Sequence, residues 1–101
     1  MRSIRLSQSF RDELPRLLAQ GTRFGAAVIA DKRSRVVHTI EHVLAQHPKR
    51  PVDPVLGLCA YPVTKTPFVL LYDYDDRELR VHLIIHGGMD RTAVDLSKVV
   101  W

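Results

Sequence analysis

PFVLLYDYDDRELRVHLIIHGGMDR, residues 67–91, is the stretch whose reading decides the fold. The near-continuous apolar run from Phe68 to Tyr72 predicts a central strand over Pro67–Tyr74, covered on both faces. Asp75 and Asp76 supply a tight turn, because short acidic side chains bond their own backbone there. Glu78–His86 then returns antiparallel. In this second strand Val81, Leu83 and Ile85 alternate with Arg80, His82, Ile84 and His86, the period of two that marks one buried face. The polar side would carry an arginine and two histidines in a row. Gly87 and Gly88 end the strand, and Asp90-Arg91 follows.

Upstream, Ser3–Ser7 alternates as a short strand. Ser7 or Ser9 can cap a following helix that runs to about Ala19 and ends at Gly21, with Asp12 and Glu13 in its first turn and Pro15 early enough to be tolerated. Phe10, Leu14, Leu17 and Leu18 form its apolar face. A second helix is expected from Thr22 to about Gln46. Ile29, Val36, Val37, Ile40, Val43 and Leu44 share one side of it, whereas Phe24, Ala27 and Val28 fall elsewhere. That shift of phase fits a first part packed on a different neighbour, or a bend near Asp31–Ser34. His47–Pro54 holds Pro48, Pro51 and Pro54 and reads as a connector. Leu56–Val63 is a short strand, placed by Pro62 at an edge or bend. The tail, Asp90–Trp101, is a loop with a final short strand through Val99–Trp101. The order predicts an α+β domain: an N-terminal strand, an α-hairpin, then a three-stranded antiparallel meander, with the hairpin on one face of the sheet.

A length of 101 residues, 46% hydrophobic and 26% charged, suits one domain over residues 1–101 that buries its core without disulfides. Cys59 is the single cysteine, so no internal disulfide forms, which fits a reducing compartment. No charged-then-apolar leader and no run of eighteen apolar residues is present. The expectation is a cytoplasmic protein with no membrane partner. Fifteen Lys and Arg against eleven Asp and Glu give a net charge of +4, which favours polyanionic partners or an acidic protein segment.

The strand-helix-helix-meander order, with Tyr61-Pro62-Val63, Pro67-Phe68-Val69-Leu70-Leu71-Tyr72 and a closing strand into His86-Gly87-Gly88-Met89-Asp90-Arg91, resembles the RelE/ParE superfamily of toxins from type II toxin–antitoxin modules. The resemblance implies a growth-inhibiting protein held silent by a cognate antitoxin. Some members cut mRNA on the ribosome, and ParE-like members poison DNA gyrase. Fold alone does not separate the two targets. His86 stands where the family has a strand-end histidine. No tyrosine or lysine cluster follows it, and Gly87-Gly88-Met89 takes that place, which tilts the reading toward the ParE-like branch. ParE-like toxins depend on their C-terminal segment, so Lys98, Val99, Val100 and Trp101 are candidate partner-binding residues.

RNA cleavage would need a base for the 2′-hydroxyl, a cation for the phosphorane and a donor for the leaving oxygen. Arg80, His82 and His86, with Arg91 just beyond, supply those types, and strand neighbours two apart lie about 6–7 Å from each other. The same residues also suit an ordinary solvated strand face. His38–His42 reads HTIEH and matches the H-x-x-E-H pattern of inverted zinc peptidases. On a helix both histidines face solvent, opposite Ile40 and Val43, and a chance match is the simpler reading; neither metal nor cofactor is called for. Lys32, Arg33, Arg35, Lys49 and Arg50 offer a basic surface, and Tyr72 or Tyr74 a stacking surface, although Tyr72 is better suited to the sheet. Cys59, between Leu58 and Ala60, reads as a small core residue.

Overall fold

The computed structural model describes residues 2–20 and 25–101. The central hairpin forms as its sequence dictates. β3 (Phe68–Tyr74) and β4 (Glu78–His86) run antiparallel, from Tyr74 opposite Leu79 to Phe68 opposite His86. Asp75 builds the turn: its Oδ1 accepts from the N–H groups of Arg77 and Glu78, both at 2.8 Å. β2 (Cys59–Pro62) pairs antiparallel on the far side of β3, which completes the meander. β1 (Ser3–Leu6) lies parallel to the first half of β4, so the sheet is mixed, in the order β1-β4-β3-β2. The protein is α+β.

Helix α1 (Gln8–Ala19) and helix α2 (Ala26–His38) lie between β1 and the meander in sequence. Phe10, Leu17 and Leu18 of α1 join Val36, Ile40, Leu44, Leu70, Tyr72, Leu79, Val81 and Ile84 in one core beneath the sheet. Each large apolar side chain moved from water into such a core contributes roughly 1.5–3 kcal/mol. Ser7 is the cap: its Oγ accepts from the Phe10 N–H at 2.8 Å. With the cap there, Asp12 and Glu13 fall beyond the first turn, and Pro15 lies inside the helix rather than at its start. Pro15 is tolerated on the exposed side, and Arg11, four residues earlier, is exposed too, so the carbonyl that proline leaves without a helical donor belongs to a solvent-facing residue. Gly21, Thr22 and Phe24, read above as the end of one helix and the start of the next, lie outside the described residues. Gly25 precedes α2 at φ +86°, a backbone conformation that side chains disfavour.

The expected irregularity of the second helix comes later than Asp31–Ser34. Thr39–Leu44 is π-helical, with the Ala45 N–H reaching back to the Ile40 carbonyl at 3.0 Å, and the Thr39 hydroxyl donates to the Arg35 carbonyl at 2.7 Å. A four-residue repeat overshoots one α-turn and falls short of one π-turn. Mixing the two therefore stacks Val36, Ile40 and Leu44 on one line facing the core, while Val37 stays exposed. From Ala26 to Arg35 only Ile29 packs against the core.

A second apolar cluster covers the opposite sheet face. Leu58, Val69, Leu71 and Ile85 are buried there under Leu56, which lies in the turn before β2 rather than in the strand expected from Leu56, and under Val94 and Leu96 from the tail. β3 is thus covered on both faces, as its unbroken apolar run requires. The tail holds two 3-10 turns, Arg91–Ala93 and Leu96–Lys98, each opened by an aspartate that accepts from the N–H two residues on. No strand forms through Val99–Trp101: Val100 instead exchanges hydrogen bonds with Ser9, taking its N–H at 3.1 Å and donating to its Oγ at 2.8 Å. A helix leaves its first N–H groups without partners, and the tail satisfies one of them. Among the described residues no helix is long and apolar enough to cross a membrane.

Ser7 joins three elements. It is fully buried, its N–H donates to the Val81 carbonyl at 3.0 Å, and its hydroxyl donates to the His82 carbonyl. Ser7→Ala removes the helix cap and strands a β4 carbonyl, so urea unfolding should show a loss of about 1–3 kcal/mol. An unchanged midpoint would mean that the junction does not depend on this hydroxyl.

Candidate functional site

β4 does not keep the strict alternation expected of it. Leu71 pairs with Leu83 but Tyr72 pairs with Val81, which leaves His82 as an extra residue, a β-bulge. Before the bulge Leu79 and Val81 face the helices; after it Ile84 does, and is 1% exposed. Leu83 and Ile85 turn to the other face with Arg80 and His82. His86 therefore shares the helix-side face with its register partner Phe68. The expected outward row is divided: Arg80 and His82 lie together, and His86 is across the sheet from them. The signal was present in Leu83-Ile84-Ile85, three successive apolar residues where alternation would require a polar one.

Arg80 is enclosed by carboxylates. Its Nε donates to Asp73 Oδ1 at 2.9 Å, and its Nη1 donates to Asp75 Oδ2 at 3.0 Å and Glu78 Oε1 at 3.3 Å. His82 Nε2 is 3.0 Å from the same Asp73 oxygen, and because an ionised carboxylate only accepts, His82 is the donor. Burial pulls the Asp73 carboxyl upward, but hydrogen bonds from Arg80 and His82 and their positive charge outweigh it and hold it below the usual range. Asp75 is pushed down to about 2 by the Arg77 N–H, by Arg80 and by the Glu78 N–H. The guanidinium is held firmly protonated by Asp73 and Asp75. Three carboxylates thus engage one arginine and one histidine in one patch, and Arg5 is the register partner of that arginine on β1.

Trp101 closes this patch from the side. Its ring meets His82 edge-on, with centroids 4.7 Å apart at 84°, and the Arg5 guanidinium lies 5.0 Å from its centroid. Of the tail candidates, Lys98 ends the second 3-10 turn, Val99 is half-buried, and Val100 and Trp101 are tethered to Ser9, His82 and Arg5 while still exposed. Arg91 is far from Arg80 in its bonding: its Nε pairs with Asp53 Oδ2 at 3.3 Å, which ties the tail to the connector. His86 is exposed, and its Nδ1 accepts from the Gly88 N–H at 3.2 Å.

The remaining candidates separate in the same way. His38 and His42 are exposed with ring centroids 4.9 Å apart, and no group of three or more His, Cys, Asp or Glu among the described residues is placed to hold a metal. Arg35 pairs with Asp31 at 2.9 Å, and Arg50 lies over the Tyr61 ring at 5.0 Å. Lys32 and Lys49 take no part in the carboxylate patch, and Arg33 is exposed. Tyr72 is fully buried, its hydroxyl donates to the Pro48 carbonyl at 2.7 Å, and burial pushes its ionisation far up, so it holds the connector rather than stacking on a base. Tyr74 sits beneath Arg2 at 5.4 Å. Cys59 is buried, its thiol 3.6 Å from the Arg50 carbonyl.

Sequence reasoning passed over Asp73, Glu78, Asp53 and Arg5, and it read Ser9 only as a possible helix cap. Asp73 faces Arg80 because the turn is centred on Asp76-Arg77, one position later than the expected Asp75-Asp76 turn, which would set Asp73 opposite Glu78. The Arg5–Trp101 and Asp53–Arg91 contacts join segments remote in sequence and leave no local signal. The chain matches no protein-family model and no curated protein.

Two outcomes follow from this geometry. Carboxylates held below their unfolded values stabilise the fold fully above the ordinary range near pH ~4 and lose that contribution as pH falls toward 2. Asp75→Asn keeps the turn acceptor but not the charge, so its thermal midpoint should fall less than the wild type's between pH 4 and pH 2; identical acid limbs would remove Asp75 from the effect. Trp101 is the only tryptophan, so His82→Ala should shift its emission to longer wavelength as the ring is released. Unshifted emission would show that His82 does not hold the tail.

Proposed function

We propose that this chain is a growth-inhibiting toxin of a type II toxin–antitoxin pair, silenced by a cognate antitoxin, and that it acts by binding DNA gyrase rather than by cutting RNA. The α+β order of elements and the residues of the Pro67–Arg91 hairpin support the toxin reading through their resemblance to the RelE/ParE superfamily. The observation that carries the choice of target class is the commitment of the cationic groups. Arg80 is bound by three carboxylates, Arg91 by Asp53 and His82 by Asp73, while His86 lies on the opposite face. A phosphorane needs a free cation beside a base, and of this set Arg80, His82 and Arg91 are carboxylate-bound and none is paired with the exposed His86. The tail, with Val100 and Trp101 exposed but positioned, is suited to meeting a protein target.

One observation favours the alternative of a ribosome-dependent mRNA endonuclease: His86 is exposed and bound by no carboxylate among the described residues. A non-catalytic interaction module of the same fold is the third reading. Inducible expression without a partner separates them. Growth arrest is expected, with inhibition of gyrase supercoiling by purified protein, no cleavage of mRNA on translating ribosomes, and full toxicity of His86→Ala. Toxicity lost in His86→Ala together with mRNA cleavage would replace gyrase by RNA as the target. Normal growth would leave the interaction module.

A further inference from the structure

β1 ends at Leu6, opposite Val81, so the second half of β4 has β3 on one side and no strand on the other among the described residues. A groove of about 760 Å³ lies along that half, between α1 and the tail. Its apolar wall includes Leu17, Ile85, Met89 and Val94, and Met89 is 41% exposed. Among the described residues its charged lining consists of Asp12, Glu13 and Asp95, with His86 at the strand end and no lysine or arginine. Asp12 is exposed, and its bond among the described residues comes from the neutral amide of Gln8, at 2.9 Å. Glu13 is paired with Arg16 at 3.2 Å across the helix surface. Asp95 is held ionised by the hydroxyl and N–H of Ser97.

From this charge pattern we propose that the groove is a docking site for a segment of a partner protein that alternates apolar residues with lysine or arginine. Apolar side chains of the segment enter between α1 and the tail, and its cations meet Asp12 and Asp95. The site opposes the net charge of the whole molecule, which is +4 and would by itself attract acidic segments. The inference stands apart from the toxin reading, since it rests on the groove and not on the resemblance.

The contrast with the net charge supplies the test. Two fluorescein-labelled synthetic peptides, one alternating leucine with lysine and one alternating leucine with glutamate, are titrated into the full chain, with binding followed by fluorescence polarisation and by amide shifts in NMR spectra. The lysine peptide should bind more tightly, with shifts centred on Leu83–His86 and Val94–Asp95. Asp12→Lys, at an exposed position, should weaken it by about threefold, the scale of one exposed charge pair, and leave the circular dichroism spectrum unchanged. Preference for the glutamate peptide, shifts elsewhere, or no binding would overturn the proposal. So would concentration-dependent dimerisation abolished by Asp12→Lys, because the occupant would then be a second copy of the chain.

Discussion

The bulge at His82 is the constraint on which the rest of the structure depends. β4 must pair with β1 along its first half, serve β3 along its whole length, and cover two apolar clusters on opposite faces. A regular strand from Leu79 onward would turn Leu83 and Ile85 toward the helices and Ile84 away. With one extra residue, Leu79, Val81 and Ile84 all reach the helix-side core, while Leu83 and Ile85 reach the tail. Ser7 secures the place where this happens, since it bonds the carbonyls of both Val81 and His82 and caps α1 at the same time. The start of the helix, the end of β1 and the change of face in β4 therefore coincide.

The same bulge explains why the polar residues of β4 do not converge. Arg80, before it, and His82, within it, fall on the face where Asp73 of β3 waits, and they become a bonded network rather than a reactive pair. His86, beyond it, is carried to the helix side. The tail then uses what the network leaves exposed: the edge of His82 receives Trp101, and Arg5 of the neighbouring strand covers the indole. A face that looked basic and catalytic in one dimension is a carboxylate-balanced support for the C-terminus in three.

Much of this protein is legible along the chain. The unbroken run Phe68–Tyr72 marked β3 as the strand with neighbours on both sides, Asp75 marked the turn, and Glu78–His86 has the bounds expected of it. Ser7 was one of two expected caps. Cys59 and Tyr72 are core residues as their apolar neighbours imply. Less legible were the place of Pro15 inside α1, whose extent to Ala19 is as expected, and the π-helical segment at Thr39–Leu44. The latter was visible only as a drift in the apolar stripe, because a widened turn is chosen to align Val36, Ile40 and Leu44 against a core that lies elsewhere in the chain.

The sequence by itself determined the classes of element, their order, and the hairpin at the centre of the sheet, because periodicity and turn chemistry act over a few neighbouring residues. Tertiary structure alone decided that β1 lies parallel beside β4, that His82 is the extra residue, that Arg80 and Arg91 are neutralised, and that the tail ends on His82 instead of forming a strand. Those outcomes depend on which remote groups meet across the sheet, and a carboxylate that captures a guanidinium from a distant segment is invisible until the chain has folded.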